Sequence, residues 1–413
     1  METFAALYER LIKASLSNRL NEEIQNGGIS PDPHHLECLL NPGSKPPIIQ
    51  IGDCLCGPEE KVCEKECLFS AIHREGEVVT VDNDRCSGCS RCLDLCRNGA
   101  LSERKELLPI LELLNAGEKP VYALIAPAFN GQFTSQVTAG KLRSAFKALG
   151  FTGMVEVALF ADILTLKEAL EFDRTIHEDK DFMLTSCCCP IWIAMIKKVY
   201  HDLIPHMPPA VSPMVACGRA IKKIKPGAVT VFIGPCVAKK AEAREPDIKD
   251  AVDYVLTFKE IEEVFNLAGL NPAELPEDDR DHSSRAGRIY ARTGGVSEAV
   301  QTTLERLSPQ RTIPVKAMQA DGIPACKELL KDLTEGRIKA NFMEGMGCRG
   351  GCVGGPKAII KADEGTAQVN EYGDSAAYKT PLDNPHVLEL LHELGFDTVE
   401  SLLEEKSFFI RRF

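Results

Sequence analysis

The amino-acid sequence predicts an α/β protein with two lobes of mostly parallel sheets flanked by helices, preceded by a small cysteine-rich α+β unit. Its 413 residues are enough for two or three domains of about 150 residues each. From about residue 104 to the C-terminus, short apolar segments alternate with longer helical patterns, which is typical of parallel sheets covered by helices. Eight cysteines crowd into residues 51–103, and this density indicates the separate unit.

The elements can be predicted in chain order. Residues 2–26 carry apolar side chains every three to four positions, which predicts one amphipathic helix ending at Gly27 and Gly28. A stretch rich in Pro, His, Gly and Ser follows at 29–50 and predicts an irregular connector. The strands predicted in the α/β part are 121–126, 154–159, 229–234, 253–258 and 313–318. Helical patterns such as LTLKEALEF and KEIEEVFNLAG separate them, and the tail predicts two short amphipathic helices. We expect three parts, 1–50, 51–103 and 104–413.

Charge and hydropathy exclude some classes of function. The 48 Lys and Arg residues against 60 Asp and Glu give a net charge of −12, which argues against a protein that neutralises nucleic-acid phosphates. No apolar run approaches the roughly 18 residues of a membrane span. The N-terminus carries acids and bases at helical spacing and lacks the apolar core of a secretory signal. We therefore expect a cytoplasmic protein without membrane insertion.

Seventeen cysteines are many for a reduced cytoplasmic protein, and clustered cysteines there point to metal binding or catalysis. The spacing Cys86-x2-Cys89-x2-Cys92-x3-Cys96 is the one that bacterial two-cluster ferredoxins use for [4Fe–4S] clusters. The fourth cysteine of such a run ligates the other cluster, so a second set is required. An irregular one precedes it, formed by Cys54, Cys56, Cys63 and Cys67.

This pattern predicts a ferredoxin-like unit with two [4Fe–4S] clusters. We expect one cluster on Cys67, Cys86, Cys89 and Cys92, and the other on Cys54, Cys56, Cys63 and Cys96. The alternative is a pair of zinc sites, which favour C-x2-C pairs in tetrahedral sets. Three cysteines in a row at x2 spacing fit such sites poorly, so we favour clusters that carry single electrons.

Cysteines recur at three places in the α/β part, in TSCCCPIW (185–192), GPCVAKKAE (234–242) and EGMGCRGGCVGGP (344–356). Together these segments supply four thiolates, the number that a cubane cluster needs. The glycines of the third segment permit close approach to a bulky cofactor. Buried structural cysteine is the other interpretation, and we favour it for Cys38, Cys217 and Cys326.

The three segments resemble the signature motifs of the [FeFe]-hydrogenases, and the resemblance extends from about residue 50 to the C-terminus. It implies an H-cluster, in which a [4Fe–4S] cube is joined through one cysteine to a diiron subsite bearing carbonyl, cyanide and azadithiolate. Residue 104 onwards would be the H-cluster domain. Lys239 would hydrogen-bond an iron-bound cyanide and Met346 would pack near the carbonyls. The implied cube ligands are Cys189, Cys236, Cys348 and Cys352, with Cys352 bridging to the diiron subsite.

Hydrogen chemistry also needs a proton relay within hydrogen-bond reach of the bridgehead amine. The resemblance assigns this part to Cys188, whose thiol can accept and donate a proton. Glu168 and Glu171 lie three residues apart on one predicted helical face and match the family's relay glutamates. Ser212 would link the two.

Two positions depart from the better-known members of the family. Cys187 is an additional cysteine and Gly234 stands where a Met is usual, a combination similar to the branch called group B. Cys187 is either a second relay or packing, and we favour packing. The glycines 345, 347 and 350 match a dinucleotide-binding pattern, but no acidic residue follows about 20 residues later in a strand–turn–helix unit, so we reject it. Trp192 is interpreted as a core residue.

The resemblance therefore predicts an oxidoreductase of anaerobic hydrogen metabolism that reversibly interconverts H2 with protons and electrons. Its electrons would pass through two [4Fe–4S] clusters to or from a ferredoxin-like carrier, and maturation proteins would supply the diiron subsite. One alternative is a hydrogen sensor with the same cofactor. Another is an adaptor for iron–sulfur cluster assembly that resembles eukaryotic hydrogenase-like proteins; Lys239, Glu242 and Met346 disfavour it.

Overall fold

The computed structural model describes residues 2–26, 31–57 and 60–413. In chain order, strands β1 to β11 are Ile48–Gln50, Ile72–Glu75, Val78–Val81, Leu101–Glu103, Val121–Ile125, Gly153–Glu156, Met183–Leu184, Val229–Gly234, Tyr254–Thr257, Ala317–Asp321 and Phe342–Met346. Helices α1 to α8 are Phe4–Leu16, Leu20–Asn26, Pro33–Leu40, Val62–Lys65, Arg91–Leu95, Leu107–Ala116, Ala139–Ala148 and Ala158–Thr175. Helices α9 to α17 are Pro190–Lys198, Pro213–Ile224, Ala238–Glu242, Phe258–Leu267, Arg285–Arg288, Gly295–Leu307, Ile323–Thr334, Ala362–Asp374 and Pro385–Glu393.

Two parallel sheets form the lobes of the α/β part, as the sequence predicts. The first has the strand order β6-β5-β8-β9 and the second β10-β11-β7, and every pair in them is parallel. The helix α8 packs against α10, α13 and α14, and nearly all of its side chains from 158 to 172 are buried. It is therefore an interior helix, and its charged side chains, Asp162, Lys167, Glu168 and Glu171, are buried together with its apolar ones.

Most predicted strands lie within a residue or two of the observed ones, but two predictions need correction. The segment 154–159 is a strand only to Glu156, because α8 begins at Ala158. The strand predicted at 313–318 begins at Ala317 instead. Pro314 has no N–H for a ladder, and the N–H of Lys316 is taken by the Asn341 side chain at 2.7 Å.

The N-terminal prediction of one helix is wrong, since α1 and α2 are separate helices. Asn18 between them adopts a left-handed backbone with φ 54°, a conformation that asparagine tolerates better than most residues. The predicted end at Gly27 and Gly28 lies outside the described residues. The predicted connector contains a helix, α3, whose cap Asp32 accepts hydrogen bonds from the N–H groups of His34 and His35. The tail forms α17 and a short 3-10 helix, Val399–Leu403.

The cysteine-rich unit, residues 51–103, carries the antiparallel hairpin β2–β3, and β4 pairs with β1 from the preceding segment. Buried charges attach this unit to the α/β part. Glu103 at the end of β4 accepts from Lys105 at 2.5 Å and from Lys357 at 2.7 Å. Arg104 is 1% exposed, and its guanidinium contacts Glu106 and the carbonyl oxygen of Lys240. Because removing one partner of such a pair leaves a buried charge unpaired, these contacts fix the orientation of the unit.

No helix within the described ranges combines the length and apolar character that a membrane span requires.

The second sheet and α9 are joined through a contact between a tryptophan and a glycine. Trp192 of α9 is completely buried, and its indole N–H donates to the carbonyl oxygen of Thr185 at 3.0 Å. Its ring lies on Gly345 of β11 so closely that a Cβ at this glycine would be 2.0 Å from the ring. Ile191 covers Gly347 in the same way, at 2.7 Å. Only glycine at 345 and 347 therefore permits α9 to lie on the end of β11.

We predict that Gly345→Ala lowers the free energy of unfolding by about 3 kcal/mol, at the upper end of the usual cost of overpacking a core. Equilibrium urea unfolding measures this change. Gly43→Ala serves as the control, since a Cβ there meets nothing within 4 Å, and it should change stability by less than about 0.5 kcal/mol. Equal effects of the two substitutions would contradict the proposed role of the contact.

Candidate iron–sulfur centre and its pocket

The cysteines of the cysteine-rich unit influence one another's pKa values, and the two ligand groups that the sequence predicts stay a prediction. Burial, and then the neighbouring thiols Cys89 and Cys67, raise the pKa of Cys86 to about 12. Burial raises the pKa of Cys92, and the thiols of Cys89, Cys86, Cys67 and Cys63 act in the same direction. Since such effects require short distances, Cys67 lies close to the regular run although it comes from the other half of the sequence, and Cys63 lies near Cys92 as well.

The irregular half forms the second group. Burial and the neighbouring Cys54 thiol raise the pKa of Cys56, and Cys96 acts in the same direction. Burial, Cys54 and Cys96 also raise the pKa of Cys63. The guanidinium of Arg74 donates to the carbonyl oxygens of Cys56 and Gly57 and so holds this loop against the hairpin. Cys96 therefore lies near Cys56 and Cys63, although its own sequence run, from Cys86 to Cys96, supplies the first group.

A glycine brings the first group next to the α/β part. A Cβ at Gly88, between Cys86 and Cys89, would lie 2.9 Å from the Cα of Ala238 and 3.1 Å from the carbonyl oxygen of Val237. Those two residues directly follow Cys236. Cys89 is also close enough to Cys348 to raise its pKa, after burial and the nearer thiols. The first group of cysteines is therefore in direct backbone contact with the loop that carries Cys236.

Four cysteines from three chain segments meet in one pocket of the α/β part, which we call the thiol pocket. It is lined by the cysteines at 189, 236, 348 and 352, with Cys188, Lys239 and Met346 beside them. Apolar residues form most of the remaining wall, among them Ala126, Val157, Met214 and Phe232. The space between these walls, including its opening to solvent, is about 750 Å³.

Local structure points the four sulfurs into this pocket. Cys189 is the N-cap of α9, with Pro190 at the first helical position, and its Sγ accepts from the N–H of Gly347 at 3.2 Å. Cys236 follows β8 and accepts from the N–H groups that begin α11. Helix N-termini favour thiolates.

The loop that carries Cys348 and Cys352 depends on glycine. Gly351 has φ 88°, and its Cβ would lie 2.7 Å from the backbone N of Thr293. A Cβ at Gly355 would lie 2.7 Å from the carbonyl oxygen of Pro235. These close approaches bring Cys352 to the loop of Cys236.

The pocket fits an iron–sulfur cube. Burial and the other thiols together raise the pKa of Cys348 and Cys352 well above the ordinary range, so the four sulfurs gathered there are stable as thiolates only with a cation among them. Iron would supply that charge, because a metal ion deprotonates a coordinating thiol. The donor set, the glycine loop and the apolar walls all agree with this group.

Lys239 places an ammonium in the pocket wall. Its Nζ donates to Glu242 at 2.6 Å and to the carbonyl oxygen of Cys188 at 3.2 Å. Burial lowers the pKa of Lys239, but Glu242 and the thiols of Cys236 and Cys352 outweigh it and leave the pKa raised. The lysine therefore stays charged and can offset a negative group bound beside it.

Phe232 explains the glycine at 234. Residues 232 and 234 share one face of β8, and a Cβ at Gly234 would lie 2.9 Å from the Phe232 ring and 3.0 Å from the Cβ of Ala126. The Phe232 ring lines the thiol pocket beside the position at which a usual Met is replaced by Gly234. The two-residue period of a strand is the sequence signal that could have identified Phe232 as a pocket residue.

Behind the pocket, the extra cysteine lies between the two predicted relay groups. Cys187 is fully buried, and its neighbours Cys188 and Glu168, together with burial, raise the pKa of its thiol. Burial raises the pKa of Glu168 to about 7, although Cys187 and the N–H of Ser186 lower it. Glu168 accepts from Ser186 at 3.3 Å through Oε1, while its buried Oε2 has no hydrogen-bond partner.

The expected part of Ser212 needs correction. Its hydroxyl accepts from the N–H of Val215 at 3.4 Å and so caps α10, and it forms no hydrogen bond with Glu168 or Glu171 in the described chain. A Ser-Pro pair is itself a helix start signal, and this local interaction prevails. Glu171 is instead contacted by two cations, Lys167 at 3.0 Å and Arg174 at 2.5 Å.

Comparison with family models decides the assignment. The model described as "Iron only hydrogenase large subunit, C-terminal domain" matches residues 119–356, more than half of the chain. The chain belongs to this family. A "4Fe-4S binding domain" model matches residues 79–102. The cysteine-rich unit of this iron-only hydrogenase family member therefore indicates iron–sulfur clusters and not zinc sites.

Individual relatives of this iron-only hydrogenase family member fall into two kinds. Iron hydrogenase 1 of Clostridium pasteurianum is 29% identical over 71% of this chain and 68% of that protein. Cytosolic iron-sulfur assembly component 3 of Rattus norvegicus is 24% identical over 76% of this chain and 80% of that protein. The [FeFe]-hydrogenase HydA1 of Chlamydomonas reinhardtii superimposes with a TM-score of 0.56 at 24% identity, over 72% of this chain and 94% of that one. The superposition shows a shared fold.

We predict that Gly88→Ala loosens the contact between the cysteine-rich unit and the thiol pocket. Both left-handed strain at φ 69° and the overlap with Ala238 act against the methyl group, so hydrogen exchange should become faster at the amides of 86–89 and 236–239. Gly99→Ala is the matched control, because Gly99 has φ 63° in the same unit but nothing within 4 Å of its Cβ position. The same acceleration in both variants would show that strain alone, and not the contact, is responsible.

Proposed function

We propose that this chain is an [FeFe]-hydrogenase that interconverts H2 with protons and electrons. The observation that carries the proposal is the thiol pocket itself, in which Cys188, Lys239 and Met346 stand beside the four cysteines. A cube alone needs only the four thiolates. The additional lysine, methionine and apolar wall provide for a second, anionic and bulky group, and these are the requirements of an H-cluster.

The residues of the chain divide the remaining work. When bound, the H-cluster supplies the iron site at which H2 is formed or cleaved. Cys189, Cys236, Cys348 and Cys352 would hold its cube. Lys239 would orient the cyanide side, since its ammonium already projects into the pocket wall. The apolar walls exclude bulk water, which strengthens each charge interaction inside.

Protons would leave the pocket through Cys188. This thiol lines the pocket, and Cys187 behind it is a close neighbour of both Cys188 and Glu168. The contacts favour a second relay at Cys187 over the packing role that the sequence suggests. From Glu168 the route would continue along α8 to Glu171, whose partner Arg174 reaches solvent.

Electrons would enter through the cysteine-rich unit. Its two groups of four cysteines suit two [4Fe–4S] clusters, and the Gly88 contact brings the first of them against the Cys236 loop. We expect a ferredoxin-like protein as the external carrier and maturation proteins as the source of the diiron subsite. The cytoplasmic location inferred from the sequence stays a prediction.

A second candidate is an adaptor in iron–sulfur cluster assembly. It is favoured by the similarity to cytosolic iron-sulfur assembly component 3, which extends over 76% of this chain. A hydrogen sensor is a third. Such functions use the same fold, so the cofactor and its turnover must decide among them.

Infrared spectroscopy of the chain after co-production with diiron maturation proteins separates these functions. A hydrogenase should show carbonyl and cyanide bands together with H2 turnover by a reduced one-electron donor. Bands without turnover would support the sensor. An iron and sulfide content that matches the clusters, without any carbonyl or cyanide band, would contradict both hydrogen functions and support the adaptor.

We further predict that Cys188→Ala keeps the infrared bands while H2 turnover falls by at least about 100-fold, the usual contribution of a positioned acid or base. Cys217→Ala is the control. Cys217 is also a cysteine, but it is fully buried in α10 and does not line the thiol pocket. It should keep both bands and turnover. Unchanged turnover in Cys188→Ala would refute the relay role of this thiol.

A further inference from the structure

A fully buried lysine contacts the outer of the two relay glutamates. Lys167 in α8 is 0% exposed, and its Nζ is 3.0 Å from Oε1 of Glu171. An ammonium without water is costly unless it is paired, so the side chain is held by this contact. Lys167 has no role in the proton route described so far.

The second oxygen of Glu171 also faces a cation. Oε2 accepts from Arg174 at 2.5 Å, and the Arg174 side chain is 53% exposed. Arg174 lines a surface pocket that the C-terminal residues Ile410, Arg412 and Phe413 help to close. Glu171 is thus the outer carboxyl of α8, with a cation on each oxygen and solvent one side chain away.

Glu168, the inner carboxyl, has the opposite environment. It is 0% exposed, its Oε2 has no hydrogen-bond partner, and its neighbours are the Cys187 thiol and the Ser186 N–H rather than a cation in contact. The two carboxyls lie one turn apart on one helix, yet one is doubly ion-paired and the other is not.

We propose that Lys167 is a positioning residue of the proton route: its ammonium holds the Glu171 side chain in place through their ion pair and sets the pH range in which Glu168 takes up and releases protons. The inference rests on the proposed hydrogenase function. In this proposal Lys167, which contacts Glu171 directly, takes the place that was expected for Ser212.

The charges around Glu168 agree with this division. Burial raises the pKa of Glu168, and the Glu344 carboxylate of β11 acts in the same direction. The Cys187 thiol, the Ser186 N–H and the Lys167 ammonium lower it. The phenol of Tyr290, which hydrogen-bonds Thr165, also faces the group. Because Lys167 is the cation in this set, removing it should make Glu168 retain its proton to higher pH.

The test reads the carboxyl of Glu168 directly, by infrared pH titration of the full-length chain carrying its accessory clusters but no diiron subsite. Glu168→Gln identifies the band. In Lys167→Met the midpoint should rise by about one pH unit, and in Glu171→Gln it should fall, since a like charge is removed. Lys167→Arg should restore the parent midpoint. In matured protein, the pH profile of H2 turnover should move in the same directions.

Lys240→Met is the matched control, because Lys240 is also 0% exposed and ion-paired, to Glu260 at 3.1 Å, but lies in α11. It should leave the Glu168 midpoint in place. Midpoints that do not move, or that move in the same direction in Lys167→Met and Glu171→Gln, would overturn the proposal. If Lys167→Met does not fold, an unmoved Glu171→Gln midpoint overturns it alone. Moved midpoints in a chain without H2 turnover would keep the electrostatic role of Lys167 and reject the hydrogenase function.

Discussion

The candidate centre depends on the contact between Trp192 and Gly345. Trp192 lies one helical turn after Cys189, and Gly345 lies just before Cys348, so their packing sets the distance between two of the four cysteines. The ring can lie there only because the strand has no Cβ at 345. The hydrogen bond of the indole N–H to Thr185 fixes the ring, and with it the loop that carries Cys187 and Cys188. A packing interaction thereby determines the geometry of a site whose chemistry is entirely that of sulfur and charge.

Charge inside the α/β part is distributed by the same logic. Thiols and carboxyls are buried around the pocket, and the cations Lys239 and Lys167 are buried with them. Each ammonium has its own carboxylate, Glu242 or Glu171, so neither is an unpaired charge in a medium of low dielectric. The pairing leaves the groups proposed for proton transfer, Cys188 and Glu168, without a cation bound to them.

Cysteine spacing was the most informative part of the sequence. Ligand sets depend on which residue types are close in the chain and which crossing pattern a two-cluster unit requires, and the structure places Cys67 near Cys86 and Cys96 near Cys63. Strands with strong apolar runs, such as 121–126 and 229–234, were also predictable. The two-residue β7 and the strand β11, which contains Glu344 and Gly345, lack such runs and were missed.

What the sequence by itself determined is the kind of protein: residue type and spacing suffice to indicate two clusters, a cysteine pocket and parallel sheets, because these follow from local periodicity and ligand number. What only the tertiary structure decided is which groups touch. Ser212 caps a helix instead of linking two glutamates, Phe232 fills the space beside Gly234, and Lys167 pairs with Glu171. Such contacts arise from the packing of α8, α10 and β8 in three dimensions, and a side chain's nearest charge or ring there is set by that packing and not by its neighbours in the chain.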